Sequence, residues 1–339
     1  MRVLVAPDTS VGDATSALVE GWRDVAPGDD LDIRPQSDGG PGFLDTLPAG
    51  RRFAVPTVDP AGRPANGEVL VTGGAAYLAG PAGPGLTSYG LGILVTAAVE
   101  TGVPEIVVGL GRGPAPVDGG AGMLAALDAA PLDVAGYALP YGGEALAACA
   151  GLGGVPRLRD ARLVAATDVD NPLTGLHGAA AVFGRENGAD RAAVLFLDAA
   201  LETYAAVLER DLPGCPAGLA ALPGGGAAGG LGAALLALGA RRESGAGLVR
   251  RLSGLDAALD AADLVITGTS RFDVTALREG VCAIVVGAAL DRGLPCVVVA
   301  GEVTAGRREA ARIGVTAACP LPPDGPRALG ARLARQWSR

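Results

Sequence analysis

The chain reads as an α/β protein built on buried parallel strands, and three observations predict it. Short β-branched runs recur and end at Gly or Asp: Val3–Asp8, Ile106–Gly111, Leu163–Asp168, Leu264–Gly268 and Cys296–Gly301. Ala- and Leu-rich windows of helical length lie between them. The runs are continuously apolar, as expected of strands covered on both faces by crossover helices. With 339 residues, 49% apolar and 19% charged, the chain has material for a sizeable core and for about two domains.

In chain order, the strand Val3–Asp8 leads to a helix over Ser16–Val25, and Asp32–Pro35 reads as a second strand before the turn Ser37-Asp38-Gly39-Gly40. Val55–Thr72 carries Val/Pro/Gly alternation and predicts a short antiparallel excursion; the Gly- and Pro-rich stretch Pro60–Pro84 marks a crossing between domains. After Ile106–Gly111, the run Asp118-Gly119-Gly120-Ala121-Gly122 opens a helix over Gly122–Ala130. Leu163–Asp168 is followed by a helix over Arg191–Glu209. The uncharged window Ala221–Ala240 is broken by glycines, so it predicts a glycine turn plus a short core helix (Ala233–Leu238), not a membrane span. Leu264–Gly268, Cys296–Gly301 and the helix Ala305–Ile313 complete the pattern. In such sheets ligands lie beyond the carboxyl ends of the strands, which directs attention to Asp8, Gly111, Asp168, Gly268 and Gly301.

Composition excludes several chemistries. All 27 basic residues are arginine, so a Walker phosphate loop or a lysine Schiff base cannot be built. The net charge of −9 argues against nucleic acid or an anionic membrane as partner. One histidine, His177, cannot form a histidine-rich metal site, and no G-x-S-x-G elbow occurs; His177 reads as a turn residue. Five cysteines without C-x-x-C spacing read as small buried apolar groups of a reducing compartment. No basic start with a long apolar segment opens the chain, and the expectation is a cytoplasmic protein.

The densest polar cluster is Thr167-Asp168-Val169-Asp170-Asn171-Pro172. Two carboxylates at i and i+2 beyond a strand can face one pocket and hold Mg²⁺ or a hydroxyl, and the same D-x-D-N-P serves equally as a strand-breaking turn. The two D-G-G turns offer backbone amides to an anion or simply permit positive φ. Gly224–Gly229 formally fits G-x-G-x-x-G, yet no strand precedes it, so a dinucleotide loop is excluded. Arg271 and Asp273 form either a clamp for a carboxylate or phosphate with a hydroxyl-orienting partner, or a surface ion pair.

These motifs, in this order, resemble the class I glycerate kinase family, ATP-dependent enzymes that convert glycerate to 2-phosphoglycerate. Val5-Ala6-Pro7-Asp8 resembles the opening A-P-D-S-F-K-G, Ser37-Asp38-Gly39-Gly40 the motif A-D-G-G-E-G, and Thr87-Ser88-Tyr89-Gly90 the motif T-S-Y-G-T-G. Asp118 to Met123 resembles the end of G-G-S-A-T-N-D-G-G-A-G-M. Asp168 to Leu173, followed by Ala181-Val182-Phe183-Gly184, is the most specific match. Gly226 to Gly232 and Ala262 to Gly268 complete the series. The resemblance implies two α/β domains, a discontinuous Rossmann-like parallel-sheet domain (1–74 and 260–339) and an inserted α/β domain (75–259), with the active site in the cleft. It implies ATP and Mg²⁺ as cofactors and a small-molecule organic acid as substrate, with no certain metal ligand set; a homodimer is compatible with it. Asp168, Asp170 and Asp273 are the implied catalytic residues. Asp8, Asp38, Asp118, Asn171, Arg271, Gly229 and Gly230 are the implied substrate- or phosphate-binding ones.

The chain departs from the family motifs at charged positions. The lysine of A-P-D-S-F-K-G falls on Val11, the glutamate after D-G-G on Pro41, and the glutamate of G-E-G-R-x-D on Thr269. The later H-G-K is Arg278-Glu279-Gly280, and V-F-G-P-Q-K ends in Arg185, Glu186 and Asn187. Arg112 and Arg185 stand beside altered motifs as replacement cations. Two functional expectations follow: a divergent kinase, or a ligand-binding or regulatory paralogue with impaired catalysis.

Overall fold

A computed structural model describes residues 1–338. The chain runs β1 (Arg2–Val5), α1 (Gly12–Val25), β2 (Asp30–Ile33), β3 (Arg51–Val58), β4 (Pro64–Thr72), β5 (Ala75–Ala79), α2 (Tyr89–Glu100) and β6 (Glu105–Gly109). It continues through α3 (Ala121–Ala126), β7 (Pro131–Leu132), β8 (Gly151–Leu152), β9 (Arg162–Ala166), α4 (Arg191–Asp211), α5 (Ala227–Ala237) and β10 (Arg241–Glu243). It ends with α6 (Gly245–Leu252), α7 (Leu255–Ala261), β11 (Leu264–Phe272), α8 (Gly280–Leu290), β12 (Cys296–Val303), α9 (Arg307–Arg312), β13 (Val315–Pro320) and α10 (Gly325–Trp337). Contacts divide it into two compact units, Met1–Pro48 with Ala246–Arg339, and Ala49–Gly245.

The first unit is a five-stranded sheet in the order β13-β12-β11-β1-β2, every pairing parallel. Alternate side chains of each strand serve opposite faces. Val3, Val5, Ile266 and Val299 pack against Leu18, Val19 and Trp22 of α1 and Leu329 and Leu333 of α10. Leu4, Ala6, Val265 and Val298 pack against α7 and α8 through Leu255, Leu259, Val281 and Val285. Both faces of the central strands β1, β11 and β12 are buried, which is why these strands read as unbroken apolar runs. Helices α1 and α10 approach closely because they meet at glycines: a Cβ on Gly330 would lie 2.0 Å from the Leu18 carbonyl oxygen.

The second unit carries a mixed six-stranded sheet, β10-β9-β6-β5-β4-β3, and a small β7-β8 ladder. β5, β6, β9 and β10 run parallel; β3 and β4 are antiparallel to their neighbours. One core, mostly Ala, Val and Leu, joins this sheet to α2–α5.

The boundaries fall at 48/49 and 245/246, rather than at 74/75 and 259/260 as the sequence suggested. The Val55–Thr72 excursion is antiparallel as expected, but β4 pairs with β5 (Leu70 with Tyr77), so both hairpin strands join the second sheet. Ala246, Leu255 and Leu259 insert into the first unit's core, which moves α6 and α7 to that unit. Among the described residues no helix is long and apolar enough to cross a membrane. All five cysteines are free; Cys149, Cys282 and Cys296 are buried, and burial pushes the Cys282 thiol up to about 12.

Candidate functional site

In the second unit, β9 ends at Ala166 and hands the chain to the loop 167–171. The Thr167 hydroxyl accepts from the Val169 amide (3.1 Å) and turns the backbone. Asp168 is half-buried, and the Ser244 hydroxyl, just past β10, donates to its Oδ1 at 2.5 Å. Asp170 is exposed and pairs with Arg242 of β10. Both carboxylates are thus held by the neighbouring strand, because the parallel register sets Arg242 opposite Ala165 and Glu243 opposite Ala166. The Nε of Arg242 is buried and has no hydrogen-bond partner. Asn171 donates from Nδ2 to the His177 carbonyl (2.8 Å), which closes the turn that follows. His177 is exposed in that turn.

The glycine segment before α5 braces this loop. The Gly226 amide donates to the Asn171 carbonyl (2.8 Å) and the Gly224 amide to the Asp170 carbonyl (3.3 Å). Ala228, Gly229 and Gly230 all take positive φ (48°, 70° and 96°). A Cβ at Gly229 would lie 2.0 Å from the Pro116 carbonyl oxygen, and one at Gly230 would lie 2.8 Å from the Gly119 Cα. Close backbone packing requires both positions to be glycine. Both are buried, and their space is taken by the loop 116–119, with the Gly119 amide donating to the Gly229 carbonyl at 3.1 Å.

Asp118 is also turned inward. It is 1% exposed; its Oδ2 accepts from the Ser88 amide (2.7 Å), the Ser88 hydroxyl (2.8 Å) and the Gly122 amide (3.1 Å), and its Oδ1 from the Gly120 amide (2.9 Å). The Ser88 hydroxyl in turn accepts from the Met123 amide (2.9 Å). Burial raises the Asp118 carboxyl above the usual carboxylate range, and these donors pull against it. Asp118 therefore splices the T-S-Y-G segment to the D-G-G-A-G-M segment.

In the first unit, Asp8 ends the β1 segment and caps the short turn Thr9–Val11, its Oδ1 accepting from the Ser10 amide (2.8 Å). The loop 36–42 lies beside it: the Thr9 amide donates to the Gln36 carbonyl (2.9 Å) and the Thr9 hydroxyl to the Pro41 carbonyl (2.7 Å). Asp38, buried in that loop, accepts from the Gly40 amide (3.1 Å). Arg271 is exposed and pairs with Glu302 (3.0 Å) across the β11–β12 register. Asp273 accepts from the Thr275 and Ala276 amides (2.9 and 3.0 Å), the geometry of a turn cap.

The first unit also holds a pocket of about 330 Å³, counting its open mouth, at the carboxyl ends of β1, β11 and β12 against the start of α1. Val11 and Thr269, the positions where the family motifs carry lysine and glutamate, both line it.

Reasoning from the sequence missed Ser88 as a partner of Asp118, and Arg242 and Ser244 as partners of the two carboxylates. The only signal for the last two is a short polar run, Arg241 to Ser244, after a long apolar stretch. Arg112 and Arg185 are exposed.

A sequence profile of the Glycerate kinase family matches residues 3–335. The chain is 33% identical over 331 residues to the glycerate 2-kinase of Escherichia coli K12, covering 90% of this chain and 86% of that one. It is 37% identical over 342 residues to an uncharacterized protein of Mycobacterium bovis, covering 94% and 83%. A crystal structure from Salmonella typhimurium LT2, described provisionally as glycerate kinase 2, superposes with a TM-score of 0.75 at 33% identity, over 99% of this chain and 98% of that one. The motif order, the two sheets and these whole-length likenesses agree: the chain belongs to the glycerate kinase family.

Proposed function

We propose that the chain moves the γ-phosphoryl group of ATP onto a hydroxyl of glycerate, giving 2-phosphoglycerate, or onto that of a related small hydroxy acid, in the cytoplasm. The carrying observation is the loop 167–171, where two carboxylates past a strand end are each held by a partner on the next strand. Mg²⁺ takes hard oxygen donors, commonly one or two carboxylates together with substrate phosphates. Asp168 and Asp170 fit that donor set, and the orphaned Nε of Arg242 beside them fits an anion. When bound, MgATP supplies the phosphoryl group and the charge that neutralises its oxygens. The chain's own part is positioning. Ser244 fixes the rotamer of Asp168, Arg242 holds Asp170, and the Asp118 brace keeps the adjoining glycine loops in register. In the first unit, Arg271 is the proposed clamp for the substrate carboxylate and Asp273 the proposed partner of its hydroxyl. Engaging substrate then requires Arg271 to release Glu302, a cheap exchange for an exposed pair.

ADP release with a panel of small hydroxy acids tests this reading. At least one acid must raise Mg²⁺-dependent ADP above a no-acid control; a flat panel overturns it.

A second reading, a ligand-binding paralogue without turnover, is favoured by the apolar surroundings of Val11 and Thr269. It expects no rise in melting temperature with MgATP, since a ligand that binds the folded state must raise it. Micromolar ATP affinity overturns this alternative.

A further inference from the structure

The chain has no lysine, so a side-chain cation for a phosphate must be an arginine. Arg242 stands at the polar strand end with its fork half used. Its stem lies in the groove that Gly224 leaves: a Cβ there would sit 2.7 Å from Arg242 Cδ and 2.8 Å from Nε. The Gly224 amide donates to the Asp170 carbonyl (3.3 Å), so the stem and the loop 167–171 are set against the same glycine. Nη2 donates to Asp170 Oδ1. Nε and Nη2 project along one edge of the planar guanidinium and can serve two oxygens of one anion together. Here Nη2 has an acceptor while Nε, although buried, has none. A buried donor without an acceptor is costly. Asp170 itself is exposed, and an exposed ion pair made through one oxygen is weak. The present pairing therefore leaves the guanidinium poorly satisfied and cheap to re-partner.

We propose that Arg242 is the phosphate-binding cation of this chain, and that a divalent metal ion taken up by Asp170 releases it for that task. A hard cation seeks carboxylate oxygens. Once Asp170 serves the metal, its negative charge no longer holds the guanidinium, and Arg242 is left with an open fork beside a second cation. A phosphate group answers both needs, since its several oxygens suit the metal and the Nε–Nη2 edge together. Without metal, phosphate meets a guanidinium already paired with a carboxylate. Without phosphate, the metal meets a carboxylate already paired with a guanidinium. The two ligands are therefore coupled positively, each raising the affinity of the other by the same factor. The phosphate of a nucleotide and that of a phosphorylated hydroxy acid present the same oxygens to Arg242. The metal's place rests on the reading of Asp168 and Asp170 given above; the contact between phosphate and Arg242 does not.

The test is calorimetric titration of the full chain with ADP and with 2-phosphoglycerate, each in Mg²⁺ and in metal-free buffer, and a spin-resonance titration with Mn²⁺ alone. Arg242→Met keeps an unbranched stem over Gly224 and removes the fork. It should weaken at least one of the two ligands about tenfold or more in Mg²⁺, and by less than about threefold without metal, where the fork is already engaged. The ligand that loses affinity is the one whose phosphate Arg242 holds. Mn²⁺ alone should bind this variant as tightly as the parent or more tightly, because a competing cation has gone. Weaker Mn²⁺ binding would make Arg242 a mere prop for Asp170 and overturns the proposal. Asp170→Asn opens the fork without metal and should raise metal-free affinity for that ligand, by up to about fivefold. Adding Arg242→Met should erase this gain, which separates the fork from a general loss of negative charge. A gain that survives in the double variant, or undiminished affinity for both ligands in a folded Arg242→Met chain, also overturns the proposal. If the methionine variant does not fold, Arg242→Lys, which keeps the charge and loses the fork, takes its place with the same expected direction. The two readings fail separately. Arg242-dependent binding without ADP formation from any acid removes phosphotransfer and keeps the cation site. ADP formation with Arg242-independent binding does the reverse.

Discussion

The two units end their parallel strands in opposite chemistry. Past β9 and β10 the chain sets out Asp168, Asp170, Arg242 and Ser244, each tied to another, with the buried Asp118 bracing the loops alongside. Past β1, β11 and β12 it sets out Val11, Ala14, Leu18 and Val299 around a pocket whose hydroxyls are already occupied. Backbone shape is the same kind of asset in both: Gly229 in the second unit and Gly330 in the first each allow an approach of about 2 Å from a would-be Cβ to a carbonyl oxygen. Scaffold and charge therefore follow separate constraints. Glycines cannot be exchanged without moving backbone, whereas a side chain at a strand end can change its chemistry and leave the fold intact.

The largest effects should strike both scaffolds alike. Gly229→Ala and Gly330→Ala each force a methyl into a carbonyl oxygen, and each should cost about 3 kcal/mol or more, read from denaturant midpoints. Tolerance of either would show that the close approach in that unit is not required.

Asp118→Asn comes next. An amide nitrogen must then face a backbone N–H, leaving a buried donor unsatisfied, at a cost of about 1–3 kcal/mol. The matched change in the first unit, Val11→Lys, adds a charge at a half-buried helix start where the long stem can reach water, and should cost under about 1 kcal/mol. If both cost the same, the contrast between a wired and an unwired strand end fails.

The smallest effect is a pH dependence. The hydrogen bond from Arg210 holds the Asp211 carboxyl below its ordinary range, against burial, with a further contribution from the Leu152 amide. A depressed carboxylate stabilises the folded state above its unfolded value of about 3.9 and loses that contribution as pH falls through the folded value. Solvent screening of the exposed Arg210 limits it to at most about 1 kcal/mol. Asp211→Asn should therefore lower the melting temperature slightly at pH 7 and not at all near pH 2. In the first unit Asp256, beside Arg250 and Arg292, is depressed in the same direction, so acid sensitivity should not distinguish the two units.

The strands were legible because burial on both faces leaves an unbroken apolar run: Val3–Asp8, Ile106–Gly111 and Leu163–Asp168 overlap β1, β6 and β9, each run starting one residue after its strand does. Val55–Thr72 was legible as antiparallel, but its sheet was not, because a strand's partner is chosen by long-range packing and not by its own pattern. Site residues followed the same rule. Asp168 and Asp170 stand out as neighbours in sequence. Their partners Ser244 and Arg242 lie 76 and 72 residues away and meet them only through the β9–β10 register. For Asp118 the resemblance implied a substrate- or phosphate-binding role, while its bond from Ser88, 30 residues earlier, was not visible in the sequence. Gly229 and Gly230 carried a binding role by resemblance alone, and sequence does not separate close backbone packing from ligand approach because both demand glycine.

The central claim is that the polar strand end of the second unit carries the chemistry. Its most direct test is the rate of Mg²⁺-dependent ADP release, with the best acid of the panel, for the parent chain and for Asp168→Asn. The substitution keeps the side chain's shape and its contact with the Ser244 hydroxyl while removing the charge. The account predicts measurable turnover in the parent and a loss of about 100-fold or more in the variant, with the melting temperature unchanged. Equal rates in the two proteins would contradict it.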